Sequence, residues 1–140
     1  MAKQFSFGRN ERLKSRKLIE QLFSEGKNIV VPPYRIYFLL NDKNPTAQHS
    51  LFNIQFGIGV SGKNFKKAID RNKIKRLTKE AYRLQKNELK ETLNANNRQL
   101  NLFFIYTVKE LPDFNTVKEK VKLILSKLIK LINENNPSNS

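Results

Sequence analysis

A basic amphipathic segment between Arg71 and Lys86 limits the folds open to this chain more than any other stretch. At about 100° per residue, a helix here gathers its apolar side chains on one face, namely Ile74, Leu77, Ala81 and Leu84. The other face collects Arg71, Asn72, Lys75, Arg76, Lys79, Arg83 and Lys86, with Tyr82 at the margin. Such a helix must pack by its apolar face on another layer. The cations are typical of a polyanion-binding surface, although periodicity alone also fits an ordinary solvated face.

Composition favours the polyanion. The 140 residues include 27 Lys and Arg against 12 Asp and Glu, which gives a formal charge of +15. This balance indicates a nucleic-acid partner. We expect no membrane role, because no apolar stretch reaches the roughly 18 residues of a spanning helix and the apolar faces are needed for a core. The chain has no cysteine and begins with no signal pattern, so we expect a cytoplasmic protein without disulfides or thiolate metal sites.

The sequence predicts one domain over residues 1–134, with an irregular arm over 1–12 and a disordered tail over 135–140. The expected elements are a helix over 15–25, an optional short strand over 29–31, strands over 34–40 and 53–61, the basic helix over 66–93, a strand over 100–108 and a helix over 116–133. This order, α-β-β-α-β-α, predicts an α/β sandwich in which helices pack on a small mixed sheet.

Particular residues fix the details of these elements. Ser15 is predicted to cap the first helix, Gly26 to end it in a left-handed C′ position, and Thr116 to open the last helix as a capping box. The expected buried side of the last helix is Val117, Val121, Ile124, Leu125, Leu128 and Leu131.

The two strands before the basic helix each have one distinctive face. In the strand over 34–40, Ile36, Phe38 and Leu40 form the better core face. Arg35, Tyr37 and Leu39 are then half-exposed. In the next strand, Gly57 and Gly59 leave one face bare, either for packing clearance or for close approach by a ligand.

The run Arg71-Asn72-Lys73-Ile74-Lys75-Arg76-Leu77, followed by Lys79, Glu80 and Tyr82, closely resembles the signature of the bacterial ribonuclease P protein component. The strand over 55–61 is similar to the block that precedes this signature in the family. The resemblance extends from about Leu13 to the last helix. Lys73 stands where the family usually has Arg, and Gly62 replaces the first of two lysines, which leaves Lys63.

This resemblance implies an α/β fold with a rare left-handed β-α-β crossover at the basic helix. It also implies that the protein assists a catalytic RNA subunit, which removes the 5′ leader from precursor tRNA with Mg²⁺ held mainly by the RNA. The residues implied to bind the RNA subunit are Arg71, Asn72, Lys73, Lys75, Arg76, Lys79, Arg83, Lys63, Lys66 and Lys67. Those implied to bind the leader are Phe23, Ile19, Arg35 and Tyr37, with Ile19 standing where other members often have Phe. The alternative for Ile19 and Phe23 is that they face the core.

The residues themselves offer no catalytic set and no pattern for a small-molecule substrate. His49 is the only histidine and lies in a predicted loop, and Asp42, Asp70 and Asp113 stand apart in sequence. A two-metal nuclease needs several converging carboxylates, and no Gly-rich phosphate loop is present. Two other functions remain as alternatives to the ribonuclease P hypothesis. One is a ribosomal or general RNA-binding protein without a ribozyme partner, and the other is a protein-only nuclease.

Overall fold

A computed structural model of the chain describes Leu13, residues 16–42 and residues 54–134. The predicted arm, tail, Ser15 cap and His49 lie outside these residues. The described elements are α1 (Arg16–Glu25), β1 (Lys27–Val31), β2 (Tyr34–Asp42), β3 (Ile54–Val60), α2 (Ala68–Gln85), α3 (Asn87–Ala95), β4 (Arg98–Tyr106) and α4 (Phe114–Glu134). The predicted class, helices on a small mixed sheet, is confirmed. The optional strand is present as β1.

The four strands form one mixed sheet in the order β1-β2-β4-β3. β2 pairs antiparallel with both β1 and β4, whereas β3 and β4 run parallel. β4 is therefore central, as its dense apolar run predicts. The parallel pair is joined through α2 and α3, so the basic helix belongs to a β-α-β crossover. The left-handedness of this crossover stays a prediction of the family resemblance.

The core lies on one face of the sheet. Alternate strand side chains are buried there, including Ile36 and Phe38 of β2, Phe56 of β3 and Phe104 of β4. Helices α2, α3 and α4 cover this face, and α4 also packs on α2 and α3. Helix α1 contacts β2 and β4 from the other face, where Tyr37 and Phe103 point. The predicted alternation of β2 is confirmed.

The basic helix differs from its prediction in length. It ends at Gln85, and α3 begins at Asn87 after a turn at Lys86. The Gln85 amide donates to the Ala81 carbonyl and to the Lys118 carbonyl of α4, both at 3.1 Å, which ties the end of α2 to α4. The turn lets α3 bury Leu89 and Leu93 completely.

Three side chains of α2 and its turn lie elsewhere than predicted. Lys86 is only 1% exposed and does not belong to the cationic face. Tyr82, placed at the margin, is fully buried because its ring stacks on Phe56, with centroids 4.1 Å apart and planes 5° apart. Leu84, assigned to the apolar face, is 37% exposed. The buried face is thus rotated toward Tyr82 relative to the helical-wheel estimate.

Helix α1 ends at Glu25 as predicted, but the left-handed conformation expected at Gly26 and the capping box expected at Thr116 are both wrong. Gly26 does not adopt a positive φ, because the chain continues directly into β1. Glycine is required there by space: a Cβ would collide with the Leu22 carbonyl oxygen and lie 2.9 Å from the Phe38 carbonyl oxygen. Helix α4 begins before Thr116, whose backbone N–H donates to the Asp113 carboxylate at 2.8 Å. Asp113 is therefore the capping residue.

The buried side of α4 follows the prediction, with one exchange. Ile132 is buried and Leu131 is only half-buried. Helix α4 thus contributes a continuous apolar stripe to the core from Val117 to Ile132.

A buried hydrogen-bond chain joins α2 to the sheet. The Thr78 hydroxyl donates to the Ile74 carbonyl at 2.8 Å and lies 2.7 Å from the Tyr34 hydroxyl. Because a threonine hydroxyl has one proton, Tyr34 is the donor to Thr78. Burial, which penalises the charged phenolate, raises the pKa of Tyr34 to about 12. The neutral phenol thus stabilises the fold up to pH about 10, and this contribution is lost as the pH rises through about 12.

Candidate RNA-binding surfaces

The outward face of α2 forms a shallow groove with a basic lining. Asn72, Arg76 and Lys79 are exposed, and Lys75 is half-buried. Lys73 is exposed beside them. These side chains alternate along three turns of one rigid helix, so their spacing is set by helical geometry rather than by flexible loops. We call this set, with Arg83, the basic face of α2.

Arg71, one of the cations predicted for this face, is hydrogen-bonded to the loop before α2. Its Nη1 donates to the Phe65 carbonyl at 2.7 Å and to the Lys66 carbonyl at 2.9 Å. The guanidinium therefore holds the loop before α2 against the first turn of the helix. It retains other N–H groups for a phosphate, but its clearest role is to position this loop.

The loop itself presents three more predicted cations. Lys63, Lys66 and Lys67 are all exposed. Phe65 is buried between them, with its ring centroid 6.1 Å from that of Tyr106. Anchored by Phe65 and Arg71, the loop brings these lysines to the N-terminal end of the basic face.

Arg83 is engaged by the single acid of this surface. Its Nε donates to Glu80 Oε1 at 3.0 Å, and its Nη2 donates to Glu80 Oε2 at 2.6 Å. This hydrogen-bonded pair lowers the pKa of Glu80 and raises that of Arg83. Glu80 thus neutralises part of the basic face and holds Arg83 in a fixed orientation.

We expect Glu80→Gln to tighten RNA binding. The change removes one negative charge from the groove and releases the Arg83 guanidinium for a phosphate. The plot of log affinity against log salt should steepen by roughly 0.7–0.9 if Arg83 gains one phosphate contact. Glu119→Gln, an exposed acid on α4, removes the same charge away from the groove and should leave the slope unchanged. Equal effects of the two changes would contradict a specific role for the Glu80–Arg83 pair.

A second surface lies on the α1 side of the sheet and is aromatic. The ring of Phe23 meets that of Tyr37 edge-on at 4.8 Å and that of Phe103 at 5.6 Å. Phe23 is 44% exposed, whereas Tyr37 and Phe103 are half-buried. Phe23 therefore lies at the surface of this ring cluster rather than in the core. We call Phe23, Tyr37 and Phe103 the aromatic groove.

The two glycines of β3 explain how Phe103 fits there. A Cβ at Gly57 would lie 2.6 Å from Cδ1 of Phe103, and one at Gly59 would lie 3.2 Å from Cε2. The bare face of β3 thus provides packing clearance for the Phe103 ring. Phe103 was missed from the sequence, and the signal that points to it is this pair of glycines in the neighbouring strand.

The remaining predicted leader residues flank the aromatic groove. Arg35 is exposed and shares the Tyr37 face of β2. Ile19 is half-buried, one helical turn before Phe23 on α1. The structure therefore brings all four predicted residues to the α1 side of the sheet. The groove combines flat apolar surfaces with one cation, as single-stranded nucleic acids require.

The two surfaces are separated by the sheet. Side chains alternate along each strand, so Tyr37 and Phe103 point away from the core that α2 covers. An RNA bound on the basic face of α2 therefore leaves the aromatic groove accessible to a second segment.

The described residues show neither a metal site nor a membrane span. Across Leu13, 16–42 and 54–134, no three His, Cys, Asp or Glu side chains come together to hold a metal ion. Within the same ranges, no helix has both the length and the hydropathy to cross a bilayer.

Comparison with known proteins identifies relatives over most of the chain. A family model described as Ribonuclease P matches residues 7–129. The ribonuclease P protein component of Porphyromonas gingivalis is 35% identical over 124 residues, which cover 89% of this chain and 87% of that protein. That of Chlorobaculum tepidum is 27% identical over 127 residues, covering 86% and 81% of the two chains.

Solved structures give the same picture. The RNase P protein from Thermotoga maritima, in complex with 1-(4-fluorophenyl)-2-thiourea, is similar with a TM-score of 0.61 at 29% identity, covering 83% of this chain and 98% of that chain. The Staphylococcus aureus RNase P protein at 2.0 Å shares the fold, with a TM-score of 0.64 at 18% identity, covering 84% and 94%.

Proposed function

This chain belongs to the ribonuclease P protein family, and we propose that it assists a catalytic RNA subunit in cutting the 5′ leader from precursor tRNA. Family membership makes it a protein component of ribonuclease P, and so part of an endoribonuclease complex for tRNA processing. The proposal concerns three further points: that the partner is a catalytic RNA, that the protein contacts the leader, and that the RNA rather than the protein is the catalyst.

The observation that carries the proposal is the separation of the basic face of α2 from the aromatic groove. A small protein with +15 formal charge needs only one surface to bind RNA non-specifically. Here a cationic helix face and an aromatic groove lie on opposite sides of one sheet. This arrangement suits two RNA segments held at once, the catalytic RNA on α2 and the single-stranded leader on the α1 side.

The protein's contribution to the reaction is electrostatic and geometric. Cations on α2 offset the repulsion between two RNAs, which otherwise demands a high concentration of Mg²⁺. The described acids do not converge, so the protein residues fit a metal site poorly. We assign the Mg²⁺ ions mainly to the RNA subunit. The proposed reaction hydrolyses one phosphodiester and leaves the 5′ phosphate on the tRNA.

The aromatic groove supplies the contact with the leader. Unpaired bases stack on aromatic rings without strict sequence readout, and each such contact contributes roughly 1–3 kcal/mol. Arg35 provides a cation beside this platform for the leader backbone. The groove thereby distinguishes precursor from mature tRNA, which lacks a leader.

Binding preference separates this function from a general RNA-binding protein. We expect the chain to bind a bacterial ribonuclease P RNA at least tenfold more tightly than a structured RNA of equal length, such as a ribosomal fragment. The reason is that the preference depends on the fixed geometry of the α2 cations as well as on charge. The measurement is a competition titration at about 0.15 M salt. Equal affinities would support the general binder instead.

A further inference from the structure

Ile69 is an apolar side chain in an otherwise polar and cationic surface. It lies in the first turn of α2 and is 75% exposed, the largest value among the exposed large hydrophobic side chains of the described residues. Its neighbours at i+3 and i+4 are Asn72 and Lys73, and Arg76 follows at i+7, about 10 Å further along the helix. All three are exposed, so Ile69 shares their face.

Packing against the described residues does not account for this side chain. Ile74, five residues later, is fully buried in the core, whereas Ile69 points away from it. A β-branched residue is also a weaker helix former than Arg71 and Lys73 beside it. Its i+3 and i+4 neighbours are polar, so no apolar pair stabilises the helix at this point.

The surroundings indicate what covers Ile69. Lys66 and Lys67 precede it in the loop that Arg71 holds in place. An exposed apolar side chain with cations before and after it on the same helix end is complementary to a nucleotide, which offers a flat apolar base and ribose beside its phosphates. A membrane surface or an apolar protein partner would require a larger contiguous apolar patch.

We propose that Ile69 is a non-electrostatic contact for the RNA subunit, packing on the base or ribose of an unpaired nucleotide whose phosphates meet the basic face of α2. The inference rests on the proposed function and adds a contact that contributes shape and apolar area rather than charge. It assigns Ile69 to the selection of a local RNA structure at the N-terminal end of α2.

The test is equilibrium binding to a bacterial ribonuclease P RNA over a range of salt concentrations. Ile69→Ala removes three carbon atoms and should weaken binding by about 5- to 10-fold at every salt concentration, with an unchanged log–log slope. Ile69→Leu should retain most of the affinity. Ile69→Lys adds a cation but should still bind more weakly than the native chain at moderate salt.

Leu123→Ala is the matched control, because Leu123 is 46% exposed and lies near Lys120 and Lys127 on the outer side of α4. It should bind as the native chain does, and thermal unfolding should be unchanged for every variant. Native affinity of Ile69→Ala, or tighter binding by Ile69→Lys, would overturn the inference. If Arg76→Gln loses affinity in the same assay, the proposed function survives that result. If neither Ile69→Ala nor Arg76→Gln changes binding, the inference about Ile69 and the proposed function are both contradicted.

Discussion

Replacing Lys75, Arg76 and Lys79 together with glutamine is expected to weaken binding to the catalytic RNA on the order of 100-fold at ~0.15 M salt. Each phosphate contact releases roughly 0.7–0.9 counterions on binding. Losing three contacts should therefore flatten the plot of log affinity against log salt by about 2–2.7. These three side chains line the groove, whereas Arg83 is engaged by Glu80. Arg71 is left intact because it positions the loop before α2.

The control removes the same charge from another surface. Lys122, Lys127 and Lys130 are exposed on α4, and their triple replacement by glutamine also lowers the formal charge from +15 to +12. We expect this variant to lose far less affinity and to keep most of the slope. If the two triple variants weakened binding equally, overall charge rather than the basic face of α2 would account for RNA binding.

Tyr37→Ala is expected to weaken binding of leader-bearing precursor tRNA to the assembled enzyme by roughly 5- to 100-fold, as loss of one base-stacking contact implies. Binding of mature tRNA, and assembly with the catalytic RNA, should be nearly unchanged because the proposed function places only the leader on the aromatic groove. The measurement compares affinities for matched tRNAs with and without a leader of several nucleotides. This comparison removes the electrostatic contribution that both substrates share.

Phe103→Ala tests the β4 side of the same groove, but it also removes packing within the protein. Its ring packs over Gly57 and Gly59, so truncation leaves a cavity as well as a smaller platform. The free energy of unfolding must therefore be measured beside the affinity. Tyr37→Phe keeps the ring and should retain leader binding. Equal losses on leader-bearing and leaderless tRNA for Tyr37→Ala would contradict the placement of the leader on this side of the sheet.

Local periodicity predicted the order of most elements and the exposure of several side chains on α2 and β2. The 3.6-residue period of α2 placed Asn72, Arg76 and Lys79 on the surface, and the alternation of β2 placed Tyr37 opposite the core. Both predictions depend only on residues close together in sequence, where helix and strand geometry decides the direction of each side chain.

Features that depend on contacts between residues far apart in the sequence could not be predicted from local periodicity. From Leu102 onward the strand of Phe103 is apolar on both faces, so alternation there carries no signal. Its partner Gly57 is known only once β3 and β4 pair in register. Lys86 is buried because it lies in the turn between α2 and α3. This turn is held by the hydrogen bond from Gln85 to the Lys118 carbonyl, which joins residues 33 positions apart in sequence. The early start of α4 at Phe114 reflects Asp113, whose capping role competes with that of Thr116.

The most direct test of the account is precursor-tRNA cleavage at low Mg²⁺ by the purified chain, by a bacterial ribonuclease P RNA, and by the two together. The account predicts no cleavage by the protein alone, slow cleavage by the RNA alone and a large acceleration when they are combined, because protein cations replace part of the Mg²⁺ atmosphere. The product should carry a 5′ phosphate. Cleavage by RNA-free protein, or no acceleration of the RNA by the protein, would contradict the account.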